Sequence, residues 1–116
     1  MAEQPHYLCP CLENCPLHYA MNLIGGKWKV QILCALNAGG TLRYNALKRR
    51  LGSVSNTVLA DALEALEKAG LVQRQEYLEV PVRVEYSITG EGKTLIPILE
   101  QLSDWAEARM KQEEPK

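Results

Sequence analysis

Glycines at Gly25-Gly26, Gly39-Gly40, Gly52 and Gly70 cut the first part of this chain into short segments, each with apolar side chains at helical spacing. A first helix is expected over about 16–24. Pro16 opens it, because its missing N–H is no loss in a first turn, and Gly25-Gly26 stops it. A second helix over about 27–37 places Trp28, Ile32, Leu33 and Leu36 on one stripe. Its Cys34 reads as an inert core thiol. Thr41-Leu42 is too short to assign. A third helix over 43–51 turns Tyr44, Leu47 and Leu51 inward and leaves Arg43, Arg49 and Arg50 to reach outward. Ser55 is a good N-cap for a fourth helix over 55–69, with Leu59, Ala62, Leu63 and Leu66 inward. That stripe puts Asn56, Thr57, Ala60, Asp61 and Glu64 on the opposite face.

Beyond Gly70 the period changes. Two β-rich runs, 72–77 and 83–88, flank a loop containing Pro81, and Val84, Tyr86 and Ile88 alternate with Arg83, Glu85 and Ser87 as in a half-buried strand. This reads as a hairpin. Thr89 caps a final helix over 89–110 with Leu95, Ile98, Leu99, Leu102 and Trp105 along one side; Pro97 should kink it or split it near Ile96. Residues 1–15 read as an irregular cysteine-containing arm, 16–110 as the folded domain and 111–116 as a frayed tail. The fold expected is mainly α with a small β-hairpin, a winged helix-turn-helix whose third and fourth helices form the helix-turn-helix.

A mass of 13.0 kDa with 47% hydrophobic residues fits a single domain. No apolar stretch approaches the roughly 20 residues of a bilayer span and no leader pattern opens the chain, so a cytoplasmic protein without a membrane partner is expected. The net charge of -1 hides a polarity. Residues 14–60 carry Lys27, Lys29, Arg43, Lys48, Arg49 and Arg50 with no acid (+6); residues 1–13 carry Glu3 and Glu13 (-2), and residues 61–116 carry twelve acids against seven bases (-5), which restores -1. One region therefore attracts polyanions, unless the clustering is chance on a solvated surface. Only His6 and His18 are neutral-pH bases, and no phosphate loop or nucleophile elbow occurs, so the chain is not expected to be an enzyme.

The second helix of a helix-turn-helix enters the major groove of double-stranded DNA N-terminal end first. Ser55, Asn56 and Thr57 stand at that end, with Ser53 in the turn before them. Asn56 suits an adenine edge, and Thr57 a thymine methyl or a phosphate. The same three residues would also serve as a cap and a solvated first turn. Lys27, Arg43, Lys48, Arg49 and Arg50 are candidates for phosphate. Arg83, after the hairpin loop, is a candidate for the minor groove, or for an ordinary pair with Glu76 or Glu79. Trp28 is either a ligand platform or, on its stripe, core. A terminal apolar helix on so small a domain is expected to find a second copy, which would set two recognition helices about 34 Å apart on a pseudo-palindromic operator.

The runs Cys15-Pro16 through Leu23-Ile24-Gly25-Gly26-Lys27-Trp28, Arg43-Tyr44-Asn45-Ala46-Leu47, Leu63-Glu64-Ala65-Leu66-Glu67 and Val80-Pro81-Val82-Arg83-Val84-Glu85-Tyr86-Ser87 resemble the HxlR-type winged-helix transcriptional regulators, relatives of the MarR group. The resemblance covers about residues 15–107. It implies a homodimeric DNA-binding regulator, by default a repressor, with the first and last helices as the dimer interface: Leu17, Leu95, Ile98, Leu99, Leu102 and Trp105. It also implies a basic residue where Thr57 stands and an arginine where Glu64 stands, and this chain has neither. Phosphate anchoring should then fall to Arg43, Lys48, Arg49, Arg50 and Arg83. A winged helix that binds a protein is the rival reading.

Cys15 precedes a helix N-terminus, which favours thiolate. In the family the matching cysteine is a redox or electrophile sensor in some members, so the resemblance implies that an oxidant or small electrophile could act here, with Cys9 and Cys11 as resolving thiols. A zinc site of Cys9, Cys11, Cys15 and His18 is an alternative of unusual spacing, and idle thiols are another. No other cofactor is expected.

Overall fold

The structure, a computed structural model, describes residues 15–113. Its elements are α1 (Pro16–Ile24), α2 (Lys29–Gly39), β1 (Leu42–Arg43), α3 (Tyr44–Leu51), α4 (Asn56–Lys68), β2 (Val72–Tyr77), β3 (Arg83–Ile88) and α5 (Gly90–Glu113). The helices pack on a three-stranded antiparallel sheet of order β1-β3-β2. This is the expected winged helix-turn-helix. The expected irregular arm, except Cys15, lies outside the described residues, as do residues 114–116 of the expected frayed tail, whereas residues 111–113 are not frayed but continue α5.

The core joins Ile32, Leu33 and Leu36 of α2, Leu47 of α3, and Leu59, Ala62, Leu63 and Leu66 of α4 to Leu71, Val72 and Tyr86 around the sheet. Val54, in the turn between α3 and α4, is buried with them. Anchoring that turn by a side chain fixes how the two helices cross.

The helix ends are held by the residues that their chemistry requires. Ser55 Oγ accepts from the Val58 N–H at 3.2 Å and so caps α4. At the other end Gly70, at φ +79°, makes the left-handed reversal. The Leu71 N–H then donates to the Leu66 carbonyl and the Gly70 N–H to the Glu67 carbonyl, both at 3.0 Å, which satisfies the last carbonyls of the helix. Thr89 joins this end to α5. Its hydroxyl donates to the Gly70 carbonyl at 2.7 Å and accepts from the Gly92 N–H at 3.0 Å, while its own N–H donates to the Leu71 carbonyl at 3.1 Å.

Four details differ from the sequence reading. α2 starts at Lys29 rather than at residue 27. Thr41-Leu42 leads into a real strand: Leu42 pairs with Tyr86 and Arg43 with Glu85. α5 is not split at Pro97 but runs through it, although the proline leaves the Lys93 carbonyl without its usual donor. Cys34 is exposed, not core, and faces a groove of about 230 Å³ with Asn37, Ile96, Leu99, Glu100 and Ser103. Partial burial in that groove and then the Glu100 carboxylate raise its thiol above the ordinary pKa.

Candidate nucleic-acid interface

The helix-turn-helix is α3, the turn 52–55 and α4. Ser53, Ser55, Asn56 and Thr57 are all exposed along the turn and the start of α4, where no acidic residue occupies the first turn. Asp61 and Glu64 come later on the exposed side. The acids therefore leave the first turn of α4 clear.

Tyr44, the first residue of α3, reaches across to this end. Its hydroxyl lies 3.2 Å from both the backbone carbonyl and Oδ1 of Asn56 and donates to them. Burial, and then the neighbouring Tyr86, push the Tyr44 hydroxyl above the ordinary tyrosine pKa. With Oδ1 engaged by a donor, the Asn56 amide presents its NH2 outward. Sequence reading placed Tyr44 as an inward residue and missed this clamp, because nothing in helical spacing reports a hydroxyl reaching a neighbouring helix.

Beside α3 a cleft of about 470 Å³ opens between that helix and the wing, lined by Arg43, Tyr44, Asn45, Ala46 and Arg49 and by Val82, Arg83 and Val84. Arg43 and Arg49 are exposed, Lys48 is half-buried, and none of the three is in an ion pair among the described residues. Two arginines on one cleft wall can hold a phosphate by charge-assisted hydrogen bonds. Arg83 is differently placed. Its guanidinium pairs with Glu79 at 2.9 Å and Glu85 at 2.8 Å and lies over the Tyr77 ring at 3.9 Å. Desolvation lowers its pKa, but Glu79 and then Glu85 together outweigh that and leave it raised. The wing arginine is thus occupied within the hairpin, by Glu79 as in the ordinary-pair alternative and by Glu85 as well.

Arg50 is exposed and lies against the end of α2. A Cβ on Gly39 would lie 3.0 Å from the Arg50 guanidinium carbon, so this side chain covers the C-terminal end of α2. There it meets the negative end of the helix dipole. Lys27 sits over Trp28, its Nζ 4.9 Å from the ring centroid, and Trp28 itself packs half-buried against the core.

The expected interface stripe divides in two. Leu99 is buried and Leu95 packs against the core, whereas Ile98, Leu102 and Trp105 are exposed, as are Leu17, Tyr19 and Met21 of α1. Cys15 is 4% exposed at the N-terminus of α1, and His18 is exposed. Cys9 and Cys11 lie outside the described residues, and among those described no group of three or more His, Cys, Asp or Glu is disposed to hold a metal. No helix among them is long and apolar enough to cross a membrane.

A polar helix start beside an arginine-lined cleft, on a helix-turn-helix with a hairpin after it, defines a winged-helix DNA-binding regulator. The chain belongs to the HxlR-like helix-turn-helix family, whose model matches residues 23–114. An HTH-type transcriptional regulator of Halalkalibacterium halodurans is 44% identical over 94 residues, covering 81% of this chain and 83% of the relative. One of Methanothermobacter thermautotrophicus is 45% identical over 91 residues, 78% of this chain and 69% of the relative. Among solved structures, a MarR-family regulator of Porphyromonas gingivalis superposes with a TM-score of 0.77 at 35% identity, covering 83% of this chain and 93% of that one. The redox regulator HypR in its oxidised form superposes with a TM-score of 0.74 at 38% identity, covering 81% and 96%.

Proposed function

We propose that this transcriptional regulator is a repressor that binds a pseudo-palindromic operator in double-stranded DNA as a homodimer. The observation that carries the reading is the adjacency of the clamped Asn56 end of α4 to the Arg43 and Arg49 cleft. α4 enters the major groove, Asn56 and Thr57 face base edges, and Ser53 and Ser55 approach the backbone at the turn. Arg43, Lys48 and Arg49 hold phosphates, and Lys27 lies at a more distant backbone contact. Arg50 and Arg83 serve the fold around the site instead. Ile98, Leu102, Trp105 and Leu17 supply the apolar surface for the second copy.

Oxidation or electrophile modification of Cys15 switches the repressor in the same reading. Its support is the position of Cys15 at the start of α1, a helix that touches α4 and offers apolar surface to a partner, and the likeness to HypR, solved in oxidised and reduced forms. Because Cys15 is buried, the modification has to displace the first turn of α1. The test is binding of reduced and oxidised protein to DNA from around its own gene at two salt concentrations. Specific binding by a species of twice the chain mass, lost reversibly on oxidation and retained by Cys15→Ser, is the expected result. Binding indifferent to oxidation removes the switch, and weak binding blind to sequence removes the repressor.

A further inference from the structure

We propose that Asp61 of α4 is a specificity-determining residue whose carboxylate accepts a hydrogen bond from the N4 amine of one cytosine in the major groove and penalises other bases at that position; this rests on the proposed DNA-binding function. Asp61 is exposed one turn beyond Thr57, on the face of α4 that also carries Asn56 and Thr57. It borders two hollows that flank the helix. One, of about 350 Å³, lies toward the start of α2, where Lys27, Trp28 and Lys29 meet Val58 and Ala62. The other, of about 340 Å³, lies toward the sheet and is shared with Glu64, Glu67, Arg74 and Tyr86. A residue that borders the hollows on both sides of a helix stands on its crest, and the crest of a recognition helix faces the base edges.

The fold makes no use of this charge. Among the described residues Asp61 is in no ion pair, and Lys27 lies over the Trp28 ring instead. Along α4 the positions at pairing distance are Thr57 and Val58 before it and Glu64 and Ala65 after it, so it meets no cation and one like charge. It also lies beyond the first turn, where an acid would favour the helix dipole. An exposed carboxylate that stabilises nothing around it thus stands on the DNA-facing crest.

The chemistry of the groove selects its partner. A carboxylate only accepts, and guanine offers it the acceptors N7 and O6, thymine the acceptor O4 and a methyl group. Adenine sets its N6 donor beside the acceptor N7, a pair that suits the amide of Asn56 and opposes a carboxylate. Cytosine presents the N4 amine with no acceptor of its own beside it. Phosphate repels Asp61 on every duplex, and the N4 contact offsets that repulsion only where a cytosine stands, so the residue discriminates by penalty as well as by contact. Asp61 follows Asn56 by five residues. That is about 7.5 Å along the helix, which sets the cytosine about two base pairs from the base that Asn56 reads. Glu64 is placed differently, on the sheet-side hollow with the Arg74 cation.

The experiment selects duplexes from a random-sequence library with the wild-type protein, Asp61→Ala, Asp61→Asn and Glu64→Ala, and then measures affinity for the wild-type duplex with each base in turn at every position. Asp61 is exposed and alanine is the better helix former, so the variants keep their fold, which thermal melting verifies. The wild type should prefer cytosine at one position of each half-site, by about tenfold to a hundredfold over the other bases. Asp61→Ala should lose that preference alone, keep the others, and bind unselected duplexes more tightly because the repulsion is gone. Asp61→Asn should admit adenine at the same position, since its amide both donates and accepts. Glu64→Ala should leave every base preference in place. A wild-type site without a cytosine preference overturns the proposal. So does an Asp61→Ala protein that binds all duplexes more tightly with its preferences intact, because the acid then only repels, and so does a cytosine preference that disappears with Glu64→Ala instead. Failure of the wild type to select any duplex defeats the DNA reading itself, a different outcome.

Discussion

The Tyr44 hydroxyl of α3 holds both the backbone carbonyl and the side-chain oxygen of Asn56, at 3.2 Å each, so the first residue of one helix sets the orientation of the first residue of the other. Tyr44→Phe keeps the ring and deletes the clamp. We predict a stability loss of about 1 kcal/mol in denaturant titration. The larger effect should fall on the ratio of specific to non-specific DNA binding, because the freed amide rotates and accepts either sense of hydrogen bond. An unchanged ratio in competition binding means that Asn56 does not read a base.

Arg49 and Arg50 are neighbours in sequence but not in surroundings: Arg49 lines the cleft, and Arg50 lies against Gly39. Arg49→Gln should reduce the slope of log affinity against log salt by about one, the signature of one lost phosphate contact. Arg50→Gln should leave the slope alone and lower the melting temperature, since its guanidinium covers Gly39 at the end of α2. Equal slopes for both variants contradict this division.

Gly92 is buried where α5 crosses the sheet, and a Cβ there would meet the Leu71 carbonyl oxygen at 2.5 Å and Ile88 Cγ1 at 2.6 Å. Gly92→Ala therefore forces backbone apart despite the better helix propensity of alanine. A destabilisation of about 1–3 kcal/mol is expected by thermal or chemical unfolding. A more stable variant sinks the claim of close approach.

The two sides of α5 should separate under mutation. Leu99→Ala should cost about 2–5 kcal/mol in the fold of the chain itself, because Leu99 is buried there. Leu102→Asp should leave the helical circular dichroism intact and shift the sedimentation coefficient to that of a single chain. A Leu102→Asp protein that still sediments as a dimer places the interface elsewhere.

Cys34 supplies a pH signature. Its pKa is raised in the folded state by burial and by Glu100, so the folded chain holds this proton more tightly than the unfolded chain. Its contribution to stability is complete below the unfolded thiol pKa and fades as pH rises through the folded one. At pH 8 iodoacetamide should label Cys34 more slowly in native than in unfolded protein, despite its exposure, and Glu100→Gln should narrow the gap. Faster native labelling refutes this ordering.

Period and punctuation were enough to read the helices and the hairpin, because Leu59, Ala62, Leu63 and Leu66 fall at helical spacing and Ser55 and Thr89 do cap α4 and α5. Boundaries near glycine pairs were less legible: α2 begins only after Trp28, where the backbone first turns helical. The strand Leu42-Arg43 was invisible because two residues carry no period, and its partner Tyr86 lies far along the chain. Within the site, exposure of Asn56, Thr57, Arg43 and Arg49 came directly from the stripe. The engagement of Arg83 and Arg50 did not, since a one-dimensional pattern shows which way a side chain leaves its helix or strand and not what it meets. Cys34 misled for a related reason. Apolar neighbours in sequence put it on the border of the stripe, and the border faced a groove.

Because β1 is completed by β3, the entry to α3 is closed by a strand made some forty residues later. Pairing of Leu42 with Tyr86 and Arg43 with Glu85 requires the chain up to Ile88 to exist. During synthesis the segment that carries Asn56, Arg43 and Arg49 therefore leaves the ribosome well before the sheet that positions it. The Tyr44–Asn56 clamp can close within that segment, but the placing of Arg43 opposite Glu85 waits until the hairpin has been translated.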